Sequence, residues 1–154
     1  MNIAEAPGEI LEAMKEHEQA LAHLYELYAE KYPECKDFWI SLSLEENQHA
    51  TWLGKLWSEI ENGSEDIVVE RFPIGAVQRS TEYVKKLEDT ANQPDFTLVN
   101  ALSTALRLEE ALMENKFFEV CEGDSVKTKR TLNLLAQSTQ EHCRKVRKYL
   151  QENR

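Results

Sequence analysis

Glu46 and His49 stand three residues apart in SLSLEENQHATWL, residues 41–53, and interrupt a helical stripe otherwise made of Leu42, Leu53, Leu56 and Ile60. At i and i+3 the two side chains share one helix face, so a carboxylate and an imidazole are aimed together at whatever that face covers. Three further stripes carry the same interruption. Glu18 falls among Ile10, Met14, Leu21, Tyr25 and Tyr28; Glu110 among Leu102, Leu106, Met113, Phe117 and Val120; Thr139 and His142 among Leu132, Leu135, Val146 and Tyr149. An unpaired buried carboxylate costs several kcal/mol and neighbouring carboxylates repel, so such a group must hold protons, force the packing apart or enclose a cation. Carboxylates and imidazoles together suit iron, manganese or zinc.

The elements that must position these residues are helices. The chain of 154 residues holds only five glycines and four prolines, and its length fits one domain, 1–154. Punctuation divides it into helices over about 9–32, 34–61, 75–91, 96–121 and 126–152. Pro33 breaks the first, Asn62-Gly63 stops the second, and Pro94 follows the third, with Asp95 as candidate cap of the fourth. Gly123 closes that helix, and Asp124 or Ser125 caps the last. Two helical hairpins joined by one long crossover that carries a shorter helix are the wiring of a ferritin-like four-helix bundle, an all-α fold.

Counting from each hairpin turn at about 1.5 Å per residue compares the heights of the polar rungs. Glu18 lies 15 residues before Pro33, and Glu46 and His49 lie 13 and 16 after it; Glu110 lies 14 before Asp124, with Thr139 and His142 15 and 18 after. The rungs of each hairpin therefore meet within about one helical turn, as a shared interior site requires. Of the adjacent pair in the fourth helix, Glu110 is preferred: its neighbours at −4, +3 and +7 are Leu106, Met113 and Phe117, whereas Glu109 has Ala105, Leu112 and Lys116. His17 and His23 fall off the stripes and read as surface residues.

EQALAHLYELYA, Glu18 to Ala29, has the Glu, small residue, Tyr and Tyr-Ala spacing of the first rubrerythrin helix, and EENQH, Glu45 to His49, resembles the ligand motif of its second. The chain thus resembles the rubrerythrin branch of the ferritin-like superfamily along its four long helices, most specifically in the first hairpin. The resemblance implies one or two iron ions, with Glu18 and Glu110 as terminal ligands, Glu46 bridging, and His49 and His142 as nitrogen ligands. It also implies a non-haem iron oxidoreductase acting on peroxide or dioxygen, with Tyr25 the catalytic candidate for hydrogen-bonding a bound oxygen species, and a homodimer. Manganese or zinc are alternative occupants.

One position departs from the pattern. The second bridging glutamate belongs three residues before His142, where QSTQEHC has Thr139; Glu141 points about 100° away around the helix. Three glutamates against two divalent cations leave a net +1 in a low-dielectric interior, so one metal, an anion-bridged pair or none are all open. No CxxC pair of a rubredoxin module is present, so redox turnover needs an external electron donor. Two other readings stand beside the oxidoreductase: a metal-binding bundle with a mononuclear or altered site, and an interaction module with a decayed site that associates through its basic last helix or Phe72.

Composition narrows the partners. Acidic residues outnumber basic ones 28 to 18, a formal charge of −10 that repels nucleic acid. The excess reverses over residues 124–154, where Arg144, Lys145, Arg147 and Lys148 gather near the last helix end, in keeping with the helix dipole. Cys35, Cys121 and Cys143 are odd in number and widely spaced, which points to reduced thiols. The start MNIAEAPGEI lacks a secretory pattern, and no apolar run is long enough to span a membrane, so the cytoplasm is the expected compartment.

Overall fold

The amphipathic stripes become five α-helices in the computed structural model, which describes residues 7–63, 74–114 and 126–154, without the side chains of Pro7, Met113 and Glu114. They are α1 (Pro7–Lys31), α2 (Lys36–Glu61), α3 (Ile74–Ala91), α4 (Leu98–Glu114) and α5 (Val126–Asn153). The described residues form an all-α helical bundle. The predicted end of the fourth helix with its Gly123, the Asp124 or Ser125 cap of the last helix, and Phe72, Phe117, Val120 and Cys121 lie outside the described residues.

Local chemistry sets the boundaries. Pro33 cannot continue α1, and the chain turns through one 3-10 segment, Pro33–Cys35, before α2 begins. Gly63 ends α2 with a φ of 77°, a left-handed conformation that glycine adopts without steric cost, and its amide donates to the Ile60 carbonyl at 3.0 Å. The start of α4 differs from expectation. Thr97, not Asp95, is the cap: its hydroxyl accepts from the Asn100 amide at 3.2 Å while the Asn100 side chain accepts from the Thr97 amide at 2.9 Å. This reciprocal pair satisfies two otherwise orphaned amides, as a capping box does.

Cross-helix contacts give the wiring. Glu18 with His49 and the Ala22 carbonyl with Ser43 run α1 antiparallel to α2. Phe38 against Tyr149, His49 against Ser138 and Glu59 against Lys127 run α2 antiparallel to α5. Tyr25 with Glu109 and Tyr28 with Phe96 run α1 antiparallel to the chain entering α4. It follows that α4 runs parallel to α2, which is possible only because the crossover returns the chain along the bundle. That return is α3, lying parallel to α1, with Ser80 on His17 and Glu88 on His23.

Packing of α3 overturns one expectation. His17, read as a surface residue, is 3% exposed, and its Nε2 meets the Ser80 hydroxyl at 2.8 Å, because α3 covers that face of α1. Burial lowers the proton affinity of His17, only partly offset by Glu18. The aromatic residues near the α1–α2 turn pack on one another: Trp39 is fully buried, with ring centroids 4.9 Å from Tyr28 and 5.7 Å from Tyr25. The cations of α5 serve as counter-charges for neighbouring helices, Lys127 for Glu59, Lys145 for Glu45 and Arg147 for Glu110; the last turn of α5 carries no basic residue, so the expected dipole role is not what places them. Cys35 and Cys143 are free and buried. No described helix is long and apolar enough to cross a membrane.

Candidate metal centre

The stripes of α1, α2 and α5 face inward as their periodicity requires, and with them their polar rungs. Glu18, Glu46, His49, Thr139 and His142 are each at most 1% exposed. The helices converge at one height, so His49 Nδ1 lies 3.5 Å from Glu18 Oε2 and 3.4 Å from Glu46 Oε2. His142 Nδ1 lies 2.8 Å from Glu46 Oε1. The two imidazoles stack nearly parallel, with centroids 5.4 Å apart.

The carboxylate from α4 is Glu109 and not Glu110. Glu109 is 0% exposed and its Oε1 is 3.4 Å from His142 Nδ1, whereas the Glu110 carboxylate meets Arg147 at 3.2 Å with both side chains near half exposure. The register of α4 explains the correction. Its buried face runs Ala101, Leu102, Ala105, Leu108, Glu109 and Leu112, while Leu106, the presumed inward neighbour of Glu110, is only partly buried. Ala105, one turn before Glu109, is the inward residue: a small side chain that looks neutral in a hydropathy stripe permits close helix approach.

Two groups of three side chains could hold a metal ion among the described residues, Glu18 with Glu46 and His49, and Glu46 with Glu109 and His142. In each, three candidate ligand atoms lie within 4.8 Å of one another. Glu46 belongs to both, so the arrangement is a pair of adjacent donor triads with a shared carboxylate. Both oxygens of Glu18 and of Glu46, Glu109 Oε2 and the Nδ1 atoms of His49 and His142 are buried without an aligned hydrogen bond. Buried polar groups are otherwise almost always satisfied, and close contacts without alignment are what results when several donors aim at one point between them. On this observation the residues fit divalent metal.

Outside the ring, each histidine is held by its other nitrogen. His49 Nε2 meets the Ser138 hydroxyl at 2.7 Å, and His142 Nε2 meets the Glu45 carboxylate, whose other oxygen is 3.2 Å from Lys145. Tyr25 donates its hydroxyl to Glu109 Oε1 at 2.8 Å. Glu45 and Ser138 escaped the sequence reading, which weighed Glu109 but preferred Glu110. Glu45 and Ser138 each adjoin a stripe residue, but only the distance between α2 and α5 shows that they touch an imidazole.

The electrostatics of the metal-free cluster are those of a site that stores protons. Burial, then the Glu46 carboxylate, raises Glu18 to about 8. Burial pulls His49 down, but contacts with Glu18 and Glu46 outweigh it and raise the imidazole to about 10. In His142 the contacts with Glu109, Glu45 and Glu46 likewise overcome burial, to about 12. Glu18 and the two imidazoles thus hold their protons more tightly than free side chains do, and positive charge kept on the rings offsets part of the cluster's acidity. Burial, then Glu109 and Glu46, holds the Tyr25 hydroxyl protonated well above its ordinary range. No family model, curated protein or solved structure matches this chain, so the residues themselves carry its functional reading.

Proposed function

We propose that the chain binds two divalent transition-metal ions, iron foremost, and that it is a rubrerythrin-like non-haem iron oxidoreductase with an altered site. The single observation that carries the reading is the pair of buried donor triads sharing Glu46, with their inward atoms free of aligned hydrogen bonds. Glu18, Glu46 and His49 would hold one ion, and Glu46, Glu109 and His142 the other. When bound, the metals would supply Lewis acidity and single-electron chemistry to peroxide or dioxygen, with electrons from an external donor. The protein's part is to fix the ligands. Tyr25 holds Glu109 through its hydroxyl, Ser138 and Glu45 hold the two imidazoles, and the buried surroundings exclude water. Thr139, small and buried, offers a hydroxyl where a fourth carboxylate would otherwise face the metals, and on this reading substrate would take that position.

Thr139 also favours a second reading, a mononuclear or charge-unbalanced site that binds metal without turnover. Metal content of the purified chain, with melting in chelator, separates them. Two equivalents oxidised by peroxide support the oxidoreductase, and one redox-silent equivalent supports the second reading. A metal-free protein whose melting is unchanged by chelator refutes both.

A further inference from the structure

We propose that Glu45 supplies, through His142, the negative charge that a two-cation site needs and that Thr139 withholds; this rests on the metal-binding reading above. His142 is held from both sides. Its Nδ1 faces the cluster, 2.8 Å from Glu46 and 3.4 Å from Glu109, while Nε2 on the far edge of the ring meets Glu45. A ligand that binds through Nδ1 carries its remaining proton on Nε2, so Glu45 accepts that hydrogen bond, fixes the tautomer and pushes electron density toward the metal side.

The placement is selective. His49, in the other triad, has only the neutral Ser138 hydroxyl behind it, and the carboxylate stands behind the imidazole on the helix where Thr139 replaces an acid. Glu141, the acid adjacent to His142 in sequence, pairs outward with Arg144 and takes no part. With Glu45 counted, four carboxylates face two dications, one of them acting through a ring. Lys145 tempers the device, because its ammonium lies 3.2 Å from the other Glu45 oxygen and draws charge away from His142. Glu45 and Lys145 should therefore act in opposite directions on the same metal ion. Glu45 is a positioning residue, not a ligand.

The test titrates cobalt(II) into the metal-free full chain, with calorimetry and visible absorption reading each equivalent, for the natural sequence, Glu45→Gln and Lys145→Gln. Both positions are over one third exposed, so the variants should fold, and melting of the metal-free proteins checks it. The expected result is two equivalents for the natural sequence, the second weakened about 10- to 100-fold by Glu45→Gln and the first changed by less than about threefold. Lys145→Gln should strengthen the second. In a Thr139→Glu background, which puts a carboxylate into the cluster directly, Glu45→Gln should lose most of its effect. Two equivalents with an unchanged second step in Glu45→Gln, or Glu45→Gln and Lys145→Gln shifting it in the same direction, would overturn the inference and leave the metal-binding reading standing. Fewer than two equivalents in the natural sequence would overturn both.

Discussion

Adjacent glutamates in α4 offer the sharpest test, because they differ by one residue and by about 100° around the helix. Glu110→Gln removes only a half-exposed ion pair with Arg147, at most about 1 kcal/mol of stability, and should leave metal uptake untouched. Glu109→Gln removes a charge from inside the cluster. The donor atoms of its triad lie within 4.8 Å of one another, so an ion among them sits closer than that to the carboxylate. A carboxylate and a dication about 4 Å apart interact by about 8 kcal/mol at an effective dielectric constant of about 20. Even if the amide carbonyl and the relieved desolvation return three quarters of this, about 2 kcal/mol remains, or roughly 30-fold in Kd. Calorimetric titration of each metal-free variant with cobalt(II) should show Glu109→Gln losing the second equivalent and Glu110→Gln keeping both. The reverse pattern would refute the register assigned to α4 and with it the two-triad geometry.

Other consequences are as direct. Glu18, His49 and His142 all bind protons more tightly folded than unfolded, so their contribution to metal-free stability is complete below the unfolded values of 4.5 and 6.5 and is lost as pH rises through about 8, 10 and 12. Melting of the chelated protein should therefore show these groups destabilising it as pH rises from 6.5 toward 8, whereas metal uptake, which displaces their protons into the buffer, should tighten over the same interval. Calorimetry in buffers of different ionisation enthalpy counts the released protons, and zero release would contradict the assigned ligands. Thr97→Ala should cost about 1 kcal/mol by denaturant unfolding, and Asp95→Ala less than about 0.5, since Thr97 alone caps α4. Tyr25→Phe should destabilise the metal-free protein by about 1–3 kcal/mol, because Glu109 loses its buried donor; an unchanged midpoint would show that the hydroxyl does not hold that carboxylate.

Periodicity and helix-breaking residues specify the helices and the inward faces of three of them. In α1, α2 and α5 the stripes are built from large apolar residues such as Ile10, Leu21, Leu42, Leu53, Leu132 and Val146, all buried, so hydrophobic periodicity leaves little freedom in which way Glu18, Glu46, His49 and His142 turn. The remaining features come from how the helices dock. The inward face of α4 depends on Ala101 and Ala105, whose small side chains carry a weak hydropathy signal but let the helices approach, and this selects Glu109 over Glu110. His17 is buried only because α3 lies along α1, a docking that the stripe of α1 cannot register. Glu45 and Ser138 gain their meaning from the separation of α2 and α5. Periodicity specifies which side of a helix avoids water, whereas the identity of the group across the gap is a property of how two helices pack.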